Sequence, residues 1–128
     1  MIIQLYTSAY DNQQTLDTET RNVCLFEFPN NASGLLTWRL VVLRISDGVT
    51  RSLSQQVFYK KISGVGAVQD AIPTPANDFA SAGDAIALSG VSIALYDDGT
   101  YLGLTVTGIA GSTLDWFVAF TGEGLQDS

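Results

Sequence analysis

Hydrophobic and polar positions alternate most cleanly over the last third of the chain. Leu102, Leu104 and Val106 stand two apart among Tyr101, Gly103, Thr105 and Thr107. Leu114, Trp116, Val118 and Phe120 repeat the pattern against Asp115, Phe117, Ala119 and Thr121. A period of two marks a half-buried strand, because successive side chains leave the backbone on opposite faces. Asp97-Asp98-Gly99 and Gly108-Ile109-Ala110-Gly111-Ser112 punctuate these runs with residues that tight turns need. With Val91–Tyr96 in front, the stretch reads as an antiparallel meander.

Upstream, Asn22–Phe28 is a strand rich in apolar and aromatic residues, closed by the turn chemistry of Pro29-Asn30-Asn31-Ala32-Ser33-Gly34. Leu35–Ile45 is apolar on both faces in its middle, as a central strand covered on each side would be. A helix is its competitor, but β-branched content and the following Ser46-Asp47-Gly48 favour a strand entering a hairpin. Val49–Ile62 returns, packed through Val57, Phe58, Tyr59 and Ile62, until Ser63-Gly64-Val65-Gly66-Ala67 breaks it. Residues 70–83, with Pro73 and Pro75, form the longest irregular stretch and suit a connection between two sheets. In Asp84–Leu95 the apolar phase shifts from even positions (Ile86, Leu88) to odd ones (Val91, Ile93, Leu95). The shift falls at Ser89-Gly90 and predicts a bulge or a sheet-switching bend.

Residues 1–6 make a short strand. Residues 7–21 are polar with no sustained period and read as an extended arm or loop. Residues 122–128 read as a flexible tail. With about seven or eight short strands and no convincing helix, the expected fold class is all-β, an antiparallel β-sandwich of jelly-roll or related topology. A closed barrel is the second choice.

Composition narrows the function classes. The 128 residues are expected to form one domain, 1–128. Charged residues are 15% of the chain against 46% hydrophobic, leaving much surface to Ser, Thr, Gln, Asn and Ala. Such a surface dehydrates easily and suits packing against other chains. Thirteen acidic residues against six basic ones disfavour a nucleic-acid backbone or an anionic membrane as partner. The absence of histidine removes Ser-His-Asp and Cys-His nucleophile systems and His-based zinc sites. Cys24, between Val23 and Leu25, reads as a small buried hydrophobe. Met1–Tyr6 lacks the basic region and apolar run of a signal peptide, so synthesis and folding in a cytoplasm are expected.

Few residues offer chemistry. Asp97 and Asp98 resemble half of a calcium loop, but the further acids and the closing Glu are missing, and the turn itself calls for Asp-Gly. Trp38 and Trp116 lie inside apolar strands, with Trp116 in phase with core positions, so core packing explains it better than a sugar platform does. Tyr96 and Tyr101 flank the Asp-Gly turn and are candidate partner contacts, or a cross-strand pair that steadies the hairpin. Tyr10, in the polar arm, is a further candidate contact. No spacing of Glu19, Glu27, Glu123 and the aspartates brings a carboxylate pair around a cleft. The chain therefore reads as non-enzymatic, with no catalytic residue, cofactor or metal.

Thr105-Val106-Thr107-Gly108-Ile109-Ala110-Gly111-Ser112-Thr113-Leu114-Asp115-Trp116-Phe117-Val118-Ala119, with Ser92–Tyr101 before it, resembles the closing hairpin of many bacteriophage and prophage virion proteins. Tail-fibre modules and small head or tail accessory proteins share this ending. The resemblance implies a virion structural protein made in the host cytoplasm. Its partners would be other virion proteins, the major capsid protein or tail subunits, and a homo-oligomer with a trimer favoured. Larger fibre proteins usually carry an attachment region before the module, whereas this chain starts at its own Met1. The leading expectation is therefore a capsid decoration or cement protein bridging major capsid subunits. The alternative is a tail- or head-fibre adhesin module that binds host-surface glycans.

Overall fold

The computed structural model describes residues 1–71 and 76–127. In chain order these form β1 (Ile2–Leu16), β2 (Thr20–Glu27), β3 (Ala32–Arg44), β4 (Thr50–Ile62), β5 (Val65–Ala71), β6 (Ala76–Phe79), α1 (Ala82–Ala87), β7 (Ser92–Asp97), β8 (Tyr101–Thr107) and β9 (Thr113–Asp127). The larger sheet runs β1-β9-β3-β4-β5, with β6 also against β4; the smaller runs β2-β8-β7. All pairings are antiparallel. The expected all-β antiparallel sandwich is the fold, and it is not a closed barrel. Pairing β1 with β9 and β2 with β8 nests the chain ends as a jelly roll does, while β3-β4-β5 and β7-β8 run as plain hairpins.

One core lies between the sheets. The even positions of β3 and β9 and the odd positions of β4 point inward, burying Trp38, Leu40, Leu53, Tyr59, Trp116, Val118 and Phe120. Val23, Leu102, Leu104 and Val106 of the smaller sheet meet them. Trp116 Nε1 donates to Thr15 Oγ1 at 2.9 Å, so β9 is tied to β1 inside the core. Both tryptophans are core residues.

The turns follow their chemistry. Gly48 (φ +73°) closes the β3–β4 hairpin, where Arg44 and Asp47 pair at 2.7 Å. Gly111 (φ +75°) closes the turn before β9, and its N–H donates to Asp17 Oδ1. Gly108 serves a different need: a Cβ there would strike the Asp17 carbonyl and the Thr15 side chain. The loops on either side of β8–β9 and β1–β2 are thus packed backbone to backbone.

Several expectations change. Residues 7–21 are not an arm: β1 runs unbroken to Leu16 and pairs along its whole length with β9, and β2 begins at Thr20. Their polarity is that of an edge strand whose outer face meets water through Ser8, Asn12 and Gln14. Residues 122–127 are not a frayed tail either but the end of β9, held between β1 and β3; Ser128 lies outside the described residues. Inward glycines at 122 and 124 removed the apolar signal there. The expected break Ser63-Gly64-Val65-Gly66-Ala67 is instead the two-residue turn Ser63-Gly64, both with positive φ, followed by a strand, Val65–Ala71, that runs into the stretch 70–83 expected to be irregular.

Asp84–Leu88 is not strand. Ser81 Oγ accepts from Asp84 N at 3.2 Å and caps a short helix, α1, that Ala-rich sequence supports. The phase shift at Ser89-Gly90 therefore marks a helix-to-strand connection between the sheets. Pro73 and Pro75 lie outside the described residues. A bulge is found instead at Cys24-Leu25, between Val23 and Phe26 of β2, where Cys24 takes φ +53°.

Cys24 is buried as expected. Burial first, and the nearby Asp11 carboxylate second, push its thiol from an ordinary value of 9.0 to about 11. Because the thiolate is the nucleophile, folded protein at pH 8 is expected to react slowly with Ellman's reagent and rapidly once denatured. Fast stoichiometric labelling of the folded chain would contradict this. The linked stability effect has a definite sign. The unfolded thiol ionises first, so this contribution is intact below pH 9.0 and is lost as pH rises toward about 11.

Candidate functional site

The candidate tyrosines occupy two surfaces. β7 and β8 join through Asp97-Asp98-Gly99-Thr100, with Gly99 at φ +89°. Asp98 accepts from Tyr101 N at 2.6 Å, Thr100 N at 2.9 Å and Tyr96 OH at 3.0 Å. The bonds from Tyr101 and Thr100 hold its carboxyl below the usual carboxylate range. Asp98 therefore secures the turn above that range and releases it as pH falls through the lowered value. Asp97 accepts from Gly99 N at 2.9 Å and from Tyr59 OH at 3.1 Å, tying the hairpin to β4 of the other sheet. Burial, then the Asp97 bond, pushes the Tyr59 phenol up to about 12. The two carboxylates that suggested a calcium half-loop are thus spent on turn and core contacts.

Tyr96 and Tyr101 do share a face. Tyr96 stands opposite Gly103, two residues from Tyr101, so both project from the outer side of the smaller sheet. Leu25, thrown outward by the bulge, lies over Gly103, where a Cβ would collide with its side chain. Tyr101 and Leu25 are 44% and 45% exposed, and Glu27 is opposite Tyr101. The tyrosines are diagonal neighbours and not a directly opposed pair. Together with Leu25 they make an aromatic and aliphatic patch rimmed by Glu27, a surface suited to stacking on a ring and accepting hydrogen bonds from hydroxyls.

Tyr10 stands apart from them, on the outer face of the larger sheet. It is 79% exposed and stacks on Phe117 at 6.2 Å between ring centroids. β3 is not the central strand covered on each side that its sequence suggests. Its even face is buried, but Leu35, Val41 and Leu43 on the odd face are exposed. Phe58 of β4 and Phe117 of β9 continue this apolar surface. Outward aromatics recurring on β4 and β9, next to a β3 apolar on both sides, were the available signal. Shallow depressions of about 590 and 470 Å³ lie on either side of Phe117. A recess of about 220 Å³ opens between the sheets, floored by Gly34, Gly122 and Gly124 and walled by Leu5, Phe26 and Phe28.

No protein-family model matches the chain, and no protein of curated function matches it in sequence. Its fold resembles part of the tailspike of Acinetobacter phage vB_ApiP_P1, with a TM-score of 0.52 and 11% identity over 96% of this chain and 22% of that one. The tailspike of Acinetobacter baumannii phage AM24 matches with a TM-score of 0.48 and 8% identity, over 93% of this chain and 26% of that one. The chain thus spans about a quarter of the length of the tailspikes it resembles. At these identities the likeness concerns the fold.

Proposed function

We propose that this chain is a non-enzymatic structural module of a phage virion, of tail-fibre or tailspike type, that contacts host-surface glycans. The observation that carries the reading is the likeness of nearly the whole chain to one portion of a phage tailspike. The sequence resemblance of the closing hairpin to virion proteins supports the same class independently. Capsid decoration has less support, because the structural likeness is to tail components.

The Tyr96–Tyr101 face carries the adhesin role in this reading. It pairs exposed ring surface with the Glu27 carboxylate on a rigid sheet, so little order has to be gained on binding. The purified chain is expected to bind envelope polysaccharide isolated from the host in calorimetry. Tyr101→Ala is expected to weaken binding about tenfold, whereas Tyr10→Ala leaves it unchanged. Absence of binding, or equal binding by the Tyr101 variant, would remove the adhesin role.

A further inference from the structure

β1 is the free edge of the larger sheet, and its first half lacks the devices that keep a strand edge from pairing. Edges are commonly blunted by short length, a bulge, a proline or a lysine. β7 is only six residues long, and β2 and β5 break register against their neighbours. β1 instead runs for 15 residues in unbroken register with β9, without Pro, Lys or Arg. Its second half is closed: Asp11 accepts from Cys24 N at 3.1 Å, and Glu19 accepts from Leu16 N at 3.3 Å. The first half is open. Over Ile2–Ala9 no hydrogen bond to a described residue is made beyond the ladder to β9, and Ile2, Ile3 and Tyr6 are exposed.

The recess between the sheets opens beside this half. Leu5 and Thr7 form its β1 wall, and Phe26 and Phe28 the wall opposite. At about 220 Å³ it exceeds the apolar cavity of about 150 Å³ that holds one benzene ring. A strand added to β1 turns alternate side chains to the face of Leu5 and Thr7, and the others to the face of Tyr6. The first set meets the recess. The second meets Tyr6 and, one strand further, Glu123, whose carboxylate pairs with no described residue. Glu27, which also lines the recess, is likewise unpaired among the described residues. The nearby basic groups are occupied or distant. Lys61 Nζ donates to the Phe28 carbonyl at 3.4 Å, and the Met1 amino group pairs with Asp127 at 3.7 Å. Lys60 stands three strands away, in the row Gln4–Leu125–Ser33–Lys60.

We propose that an extended segment of another protein, alternating apolar and basic residues, adds to the larger sheet along Ile2–Ala9 and seats one ring in the recess. Main-chain bonds of the added strand supply affinity, and the recess selects the side chain. A Lys or Arg at the next position lies over the exposed Tyr6 ring and approaches Glu123, so the ring gains a cation and the carboxylate a counter-ion. An acidic segment meets Glu123 and Glu27 as like charges. The β1 strand of a second copy fits less well, since it has no basic residue to offer.

This contact goes beyond the glycan reading and is tested through residues that reading does not use. The probe is a fluorescein-labelled peptide, Lys-Val-Lys-Phe-Lys-Val-Lys, titrated with the whole chain and read by fluorescence anisotropy. Wild type is expected to bind it, and exchanging the peptide's Phe for Ser to weaken binding at least about tenfold. Exchanging its Lys residues for Glu, or methylating its backbone nitrogens, is expected to abolish binding. On the protein, Thr7→Phe fills the recess from an exposed strand position, and Glu123→Lys reverses the charge beside Tyr6. Each is expected to weaken binding about tenfold. The methylated peptide keeps every side chain and needs only wild-type protein, so it decides however the variants fold. No binding by wild type, a methylated or acidic peptide that binds as well as its parent, or folded variants that bind normally would each overturn the proposal. Sedimentation equilibrium covers the remaining occupant. Self-association of wild type that Thr7→Phe abolishes would assign the edge to a second copy and overturn it too.

Discussion

Replacing Trp116 with Ala is expected to cost ~3–5 kcal/mol of stability, the usual range for removing a fully buried aromatic side chain. In a chain of this size, that lowers the thermal midpoint by roughly 10–25 °C. The side chain is 1% exposed and sits in phase with Leu114, Val118 and Phe120. Its loss opens a cavity and also strands the fully buried Thr15 hydroxyl, which now accepts from Trp116 Nε1. Phenylalanine separates the two effects. Trp116→Phe breaks that bond, whereas Trp38 Nε1 meets no acceptor among the described residues. Trp38→Phe is therefore expected to be the milder change by about 1–3 kcal/mol, the cost of leaving a buried polar group unpaired. Equal losses in urea denaturation would contradict the assignment.

The alternation that identifies Trp116 as core is the part of the fold most legible in the sequence. Period two over Leu102–Val106 and Leu114–Phe120, with Asp-Gly and Gly-rich turns between, places β7, β8 and most of β9 correctly. What escaped notice lacks that signal for physical reasons. β1 is an edge strand in which Thr7, Ala9, Asp11 and Gln13 stand where apolar residues would declare an inner face. The smaller sheet leaves much of that edge uncovered, so burial does not select its composition. α1 is too short for a helical period and is defined by its Ser81 cap.

Gly124→Val is expected to destabilise by about 2–3 kcal/mol, as forced overpacking does. Gly124 stands directly opposite Gly34 in the β3–β9 ladder. A Cβ there would penetrate the Ser33 carbonyl and crowd the Gly34 Cα, both backbone atoms that cannot move aside without opening the sheet. Were residues 122–127 a frayed tail, the change would cost less than about 0.5 kcal/mol, as exposed substitutions generally do. The midpoint of chemical denaturation therefore decides between an ordered β9 and a loose end. The same glycines explain why the ending looked structureless: close strand approach requires them, and they carry no hydropathy.

The candidate site was legible only in pieces. Tyr96 and Tyr101 were found because they bracket a turn, and the structure does place them on one face. Tyr10 was found as an exposed aromatic, but its partner Phe117 comes from a strand 107 positions on, at the other end of the sequence. Register is long-range information. It fixes which residues share a row, and no local pattern in this chain states that β1 and β3 both flank β9.

In the function we propose, this chain works in the tail apparatus of a phage particle. Immunogold labelling of purified particles, with antibody raised against the whole chain, tests it most directly. The expected result is gold at the tail or its fibres, on particles whose capsid faces stay unlabelled. Label distributed over the capsid surface in stoichiometric copy number would contradict it and restore the decoration reading. Particles without label would remove the chain from the virion altogether.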